Sequence, residues 1–146
     1  MTNAPKIRNA ALADAQDLVR VIDAAYQPYR ARLEDLPPVS EGVDEDIRQH
    51  KVWVAELENA IVGGIFVTVV ENRAILTNLA VDPGHAGRGI GRKLIDIAER
   101  FCREHSMGEL HLSTHVKMPE NIALYTHLGW VETGRTGNKV HMSKRL

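Results

Sequence analysis

Residues Leu79–Lys93 read LAVDPGHAGRGIGRK, and the architecture of the chain turns on them. An apolar strand ends at Ala80-Val81, Asp82-Pro83-Gly84 makes a turn, and Gly87, Gly89 and Gly91 alternate with Arg88 and Ile90 before an amphipathic helix starts. Glycines in this pattern let the backbone come close to a ligand, because no Cβ stands in the way. A helix that opens here directs its unpaired amides, and the positive end of its dipole, at whatever lies in front. That is an anion site suited to phosphate, and Arg88 and Arg92 can add charge-assisted hydrogen bonds.

Counting excludes two common phosphate loops. A Walker loop has two glycines separated by four residues, then Lys and Ser or Thr. Gly84 and Gly89 have that separation, but Ile90-Gly91 follow. The dinucleotide fingerprint needs its third glycine three residues after the second, where Arg92 stands. No acidic residue that could read a ribose closes a second strand about 20 residues on.

The stretch resembles the acyl-coenzyme-A loop of the GNAT superfamily of N-acetyltransferases. There, Arg or Gln, two further residues, Gly, one residue and then Gly or Ala join the fourth strand to the third helix. The frame falls on Ala86-Gly87-Arg88-Gly89-Ile90-Gly91, and Asn78 to Pro83 and Leu94-Ile95 also match. Ala86 departs from the family's Arg or Gln. A second segment agrees: Asn121-Ile122-Ala123-Leu124-Tyr125 with Leu128-Gly129-Trp130-Val131-Glu132 is similar to the family's C-terminal motif, in which a helix Asn and Tyr flank the cofactor. The resemblance covers essentially the whole chain, more loosely over its first 50 residues.

The resemblance implies an α/β fold, a mixed and mostly antiparallel sheet of six to seven strands flanked by about four helices. It implies acetyl-CoA as co-substrate, held by Leu79, Ala80, Val81, Ala86, Gly87, Arg88, Gly89, Ile90, Gly91, Arg92 and Asn121. The amides near Leu79 to Val81 would polarise the thioester carbonyl, and Tyr125 would protonate the leaving thiolate. A phenol, with a reference pKa of about 10, holds its proton at neutral pH. The expected reaction is acetyl transfer to a primary amine by direct attack in a ternary complex; the alternative is a non-catalytic acyl-CoA-binding module. For the base, the fourth strand offers Thr77 and Asn78 but no carboxylate. His115, at the end of the fifth strand and facing the cleft, is the first candidate and Glu120 the second, with a water chain to bulk as another route.

A chain of 146 residues is expected to form one domain, residues 1–146. A net charge of −1 gives no electrostatic argument for nucleic acid or an anionic membrane. The N-terminus has no apolar signal core, and Ala60–Val70 is too short to span a bilayer, so a cytoplasmic protein is expected. Cys102 falls in the helical stripe Ile90, Leu94, Ala98, Phe101 and Cys102, and reads as a buried structural thiol. No metal is expected: on a strand, His111 and His115 would stand about 13 Å apart, too far to converge on one ion.

Along the chain, Lys6–Arg8 reads as a strand and Leu18, Ile22 and Tyr26 predict a helix from about Leu12 to Tyr26. Pro28, Pro37, Pro38 and Ser40 break the pattern, and a short helix is expected over Val43–His50. Strands follow at Val52–Val54, Ala60–Val70 and Ala74–Val81, with turns at Glu58-Asn59 and Glu71 to Arg73 and a bulge or close approach at Gly63-Gly64. A helix over Gly91–His105 is expected to stop at a left-handed Gly108. Then come a strand at Leu110–Thr114, a helix opened by Pro119, and strands at Trp130–Thr133 and Lys139–Ser143. The acidic run Glu34, Asp35, Glu41, Asp44, Glu45 and Asp46 reads either as a solvated face or as a mouth that attracts a cationic, small-molecule amine. Arg135, Lys139, Lys144 and Arg145 stand to frame the same opening from the other side. A homodimer is common in the fold, but no seam is legible here.

Overall fold

The computed structural model describes residues 4–33 and 40–146. Glu34, Asp35, Pro37 and Pro38 lie outside the described residues, so that part of the acidic run and of the proline break is not placed. The elements are β1 (Lys6–Asn9), α1 (Ala15–Arg30), α2 (Val43–Gln49), β2 (Lys51–Leu57), β3 (Ala60–Val70), β4 (Arg73–Val81), α3 (Ile90–Glu104), β5 (Glu109–His115), α4 (Pro119–His127), β6 (Val131–Thr136) and β7 (Lys139–Arg145), with 3-10 turns at Leu12–Asp14 and Pro83–His85. They form one seven-stranded sheet in the order β1-β2-β3-β4-β5-β7-β6. Every pair is antiparallel except β4 with β5, so the expected mixed, mostly antiparallel sheet with four helices is present. No helix among the described residues is long and apolar enough to cross a membrane.

The tight hairpins are set by local backbone conformation. Glu58-Asn59 and Glu71-Asn72 are all left-handed, with φ between 50° and 67°. Two successive residues of that kind twist a two-residue turn in the sense that the flanking strands need. Both halves of the Gly63-Gly64 expectation hold. The β2–β3 register skips Val62, leaving a bulge, and helices press on the glycines from either face. On one face Leu18, Val21 and Ile22 of α1 pack with Val52, Val54 and Phe66. On the other, α3 buries Ile90, Leu94, Ile95, Ala98 and Cys102 against Ile65, Val67, Leu76 and Leu110. Burial, followed by the nearby Glu99 carboxylate, pushes the Cys102 thiol above its ordinary range, as a structural thiol should behave.

Two boundaries differ from the sequence reading. Helix α1 runs through Pro28 to Arg30 rather than stopping at Tyr26. In the last turn Pro28 forfeits only one helical bond, and the Tyr29 carbonyl accepts the next amides, from Arg32 at 3.0 Å and Leu33 at 2.8 Å. Helix α3 is terminated by Ser106, not Gly108: Ser106 carries the positive φ of 59°. The Met107 amide donates to the Cys102 carbonyl at 2.8 Å and Ser106 to Arg103 at 3.2 Å. These are the paired bonds of a Schellman stop, and burial of Met107 against the core supplies its hydrophobic contact.

The start of α1 is pinned electrostatically. Arg8 donates to both Asp14 carboxylate oxygens at 2.8 and 3.0 Å and to Glu56 at 3.1 Å, while the Ala11 amide donates to Asp14 at 2.7 Å. The Arg8 hydrogen bonds hold the Asp14 carboxyl below its ordinary range against the opposing effect of burial.

Candidate active site

The site begins with a bulge. In the β3–β4 ladder Phe66 pairs with Asn78 and Val67 with Leu76, so Thr77 is the extra residue on β4. Such a residue bends its strand; here the Thr77 hydroxyl donates to the Phe66 carbonyl at 3.3 Å. Beyond it β4 leaves its other neighbour. The parallel pairing to β5 is confined to Ala74–Leu76 against Leu110–Leu112. From Thr77 to Val81 the β5-facing edge of β4 therefore has no ladder partner in β5.

At the end of β4 the Asp82 carboxylate accepts from the Gly84 amide at 2.9 Å and fixes the 3-10 turn. Gly87 and Gly89 follow with φ of +79° and +75°, and Gly89 is the N-cap of α3. Gly91 lies inside the helix. The N-terminus of α3 has neither a side-chain cap nor an acid in its first turn, whereas α1, α2 and α4 carry Asp17, Asp44 to Asp46 and Glu120 in theirs. A 15-residue helix thus opens with neither a side-chain cap nor a first-turn acid to answer its orphan amides. Ala86 and Arg88 are exposed in front of it. Arg92 turns toward a neighbouring groove of about 290 Å³ shared with His127, Leu128 and Lys144.

Leu79, Ala80, Val81, Gly91, Asn121 and Tyr125 line one cleft of about 200 Å³. Residues up to 46 positions apart, on β4, α3 and α4, therefore meet where the strands part. Tyr125 is 6% exposed, its ring edge-on to Trp130 with centroids 5.5 Å apart. Burial, and secondarily the nearby Tyr26 phenol, push the Tyr125 hydroxyl well above the ordinary phenol range. It is a proton donor that holds its proton.

The sequence reading missed the α1 wall. Ala25, Tyr26 and Tyr29 also line the cleft, with Leu124 from α4. All three tyrosines of the chain are thus gathered there. Tyr26 donates to the Asn78 side-chain oxygen at 3.5 Å, which ties α1 to β4 across the opening. Tyr29 lies with its ring centroid 6.1 Å from that of Tyr26 and carries the Arg32 guanidinium 5.0 Å from its own. The available signal was the i, i+3 spacing of Tyr26 and Tyr29, masked by reading Pro28 as a terminator.

The candidate bases stand apart from this lining. His115 is buried at the end of β5, where its Nδ1 accepts the Lys117 amide at 3.0 Å. A neutral ring so bonded carries its proton on Nε2, so it has no lone pair to spare for an amine proton. Glu120 is exposed and paired with Arg32 at 3.3 Å; burial first and Glu120 second raise the Tyr29 phenol, which locates that carboxylate near the α1 wall.

Comparison with known proteins agrees with this geometry. Residues 18–130 match the family model described as the acetyltransferase (GNAT) family. The chain is 33% identical over 90 residues to human N-acetyltransferase 8B, covering 58% of this chain and 40% of that protein's length. It is 26% identical over 159 aligned positions to the uncharacterized N-acetyltransferase YjgM of Escherichia coli (strain K12), covering 97% and 95%. Among solved structures, an N-acetyltransferase (PaiA) from Thermoplasma acidophilum in complex with coenzyme A superposes with a TM-score of 0.86 at 18% identity over the whole of both chains, which is a likeness of fold. With the glycine loop, the parted strands and the tyrosine cleft all inside the matched span, this chain belongs to the acetyltransferase (GNAT) family.

Proposed function

We propose that the protein transfers the acetyl group of acetyl-CoA to a primary amine by direct attack in a ternary complex. The observation that carries this reading is the acid-free start of α3, with no side-chain cap, beside the end of β4 that has left the β5 ladder, with Tyr125 on the same cleft. The pyrophosphate of the co-substrate suits the amides at Gly87 to Arg92. The amides from Leu79 to Val81 suit an oxygen on which negative charge develops, since donors already in place need no reorganisation as the charge forms.

In the reaction the amine nitrogen forms a bond to the thioester carbon and the carbon–sulfur bond breaks. The phenol proton of Tyr125 passes to the departing sulfur, and the amine proton leaves to water at the cleft mouth. Glu120 is a better-suited side-chain acceptor than His115, because an ionised carboxylate keeps lone pairs after pairing with Arg32. The acceptor we favour is a small molecule. A narrow cleft closed by α1 and α4 admits a slim amine more readily than a folded surface.

The second reading, a non-catalytic acyl-CoA-binding module, draws on one observation: no carboxylate lines the cleft among the described residues. Two measurements decide. Calorimetry with acetyl-CoA tests the site itself. Release of free CoA thiol across polyamines, amino acids, aminoglycosides and lysine peptides tests turnover. Binding with no acetylated amine in the panel selects the module.

A further inference from the structure

A larger groove lies at the other end of β3 from the acyl cleft, between the end of α2, the start of β2 and the last turn of α3. It holds about 520 Å³, within the range of small-molecule sites. Its floor is apolar: Val67, Met107 and the ring of Phe101, which His105 stacks upon with centroids 4.3 Å apart. Trp53 braces Phe101 from below, edge-on at 5.5 Å. Its rim is cationic. The Lys51 ammonium stands 5.4 Å from the Phe101 centroid, Arg48 also lines the groove, and no Asp or Glu is among the described lining residues.

Helix dipoles account for part of this. Arg48 sits in the last turn of α2, where positive charge offsets terminal carbonyls. That does not account for Lys51, the first residue of a strand, which stands over the Phe101 ring. The acidic partners of Arg48, Asp44 at 3.8 Å and Glu45 at 3.4 Å, are more than half exposed and on its own helix. Such pairs contribute little, so the guanidinium can be drawn to a better anion.

We infer that this groove binds a small organic anion with a flat apolar body, an arylcarboxylate, its ring on Phe101 and His105 and its carboxylate between Lys51 and Arg48. The ring removes apolar surface from water, and the carboxylate relieves two like charges while Lys51 keeps its place over the Phe101 face. The site is independent of acetyl transfer and stands whether or not the proposed reaction is correct.

Amide chemical-shift titration of the whole protein with 2-naphthoate tests it, alongside the uncharged 2-naphthylmethanol. The expected result is shifts at residues 48–51, 67–69 and 101–107, with the acid binding at least about tenfold tighter than the alcohol. Lys51→Glu should weaken the acid at least about tenfold and leave acetyl-CoA affinity unchanged. Lys51→Gln repeats the measurement without charge reversal should the first variant not fold. Equal binding of acid and alcohol, shifts centred on residues 79–91, an unaffected Lys51→Gln, or no binding at roughly 10 mM ligand would each overturn the inference.

Discussion

Two pairs of glycines do opposite jobs in this molecule. Gly63 and Gly64 in β3 have ordinary extended backbones but no room. A Cβ on Gly64 would lie 2.5 Å from Leu18 Cδ2, and one on Gly63 would lie 3.1 Å from the Ala80 carbonyl oxygen and 3.2 Å from Ile90 Cγ2. Gly87 and Gly89 have the reverse: left-handed backbones and nothing within 4 Å of where a Cβ would stand. The strand glycines let two helices seat on opposite faces of the sheet. The loop glycines turn the chain in the left-handed sense just ahead of α3. Crowding marks a glycine placed for packing; positive φ with open space marks one placed for backbone conformation, as Gly42 and Gly137 also show.

The contrast predicts which variants lose function and which lose stability. The largest effect is expected at Tyr125, whose assignment decides whether α4 belongs with the loop or with the core. Tyr125→Phe keeps the ring against Trp130 and removes only the donor. It should lower kcat by about 10²–10⁴-fold, nearer the lower figure because a thiolate needs less help than an amine, with acetyl-CoA affinity nearly unchanged. Steady-state kinetics beside a melting curve checks this; a lowered Tm with unaltered kcat would move Tyr125 to the packing side. Because burial raises the phenol, wild-type kcat should not fall through loss of this proton below about pH 10.

Gly89→Glu should come next, weakening acetyl-CoA by at least about 100-fold, or about 2.7 kcal/mol, since the new carboxylate opposes the pyrophosphate and a Cβ is strained at positive φ. Its melting point should fall only slightly, and calorimetry gives the affinity directly. If affinity survived, the loop would not be the phosphate site. Gly64→Ala should do the converse: overpacking against Leu18 costs roughly 1–3 kcal/mol, read as several degrees of Tm, with acetyl-CoA affinity retained once folded. An unchanged Tm would mean that α1 yields at Leu18 and that crowding does not fix its seat.

The smallest effect approaches the same contact from the N-cap of α1, four residues before Leu18. Asp14 is held below its ordinary pKa by Arg8. The stability this provides is complete above the unfolded value of about 3.8 and disappears as pH falls through the lower folded value. Melting curves should therefore show an acid-side loss below about pH 4 that Asp14→Asn removes in part, at the expense of stability at pH 7. A pH profile identical in the variant would free the α1 start from this ion pair.

Much of this was legible in the chain because it is local. The glycines at 87 and 89 announce the left-handed turn that leads into α3 through backbone freedom alone. Ile90, Leu94, Ala98 and Cys102 announce the buried stripe of α3 through their spacing, and Glu58-Asn59 marks its turn. Each of these depends on residues within a few positions of one another, where conformation and periodicity are determined by the immediate sequence. The tertiary structure decided the rest, for an equally physical reason. Periodicity says that Tyr26 has a buried face; only packing says that the face closes a cleft across from Asn78, Tyr125 and the end of β4. The parting of β4 and β5 follows from which strand lies beside which. Lys51 and Phe101 lie 50 positions apart, and what they enclose is set by the sheet and helices that bring them together, not by either neighbourhood of the chain.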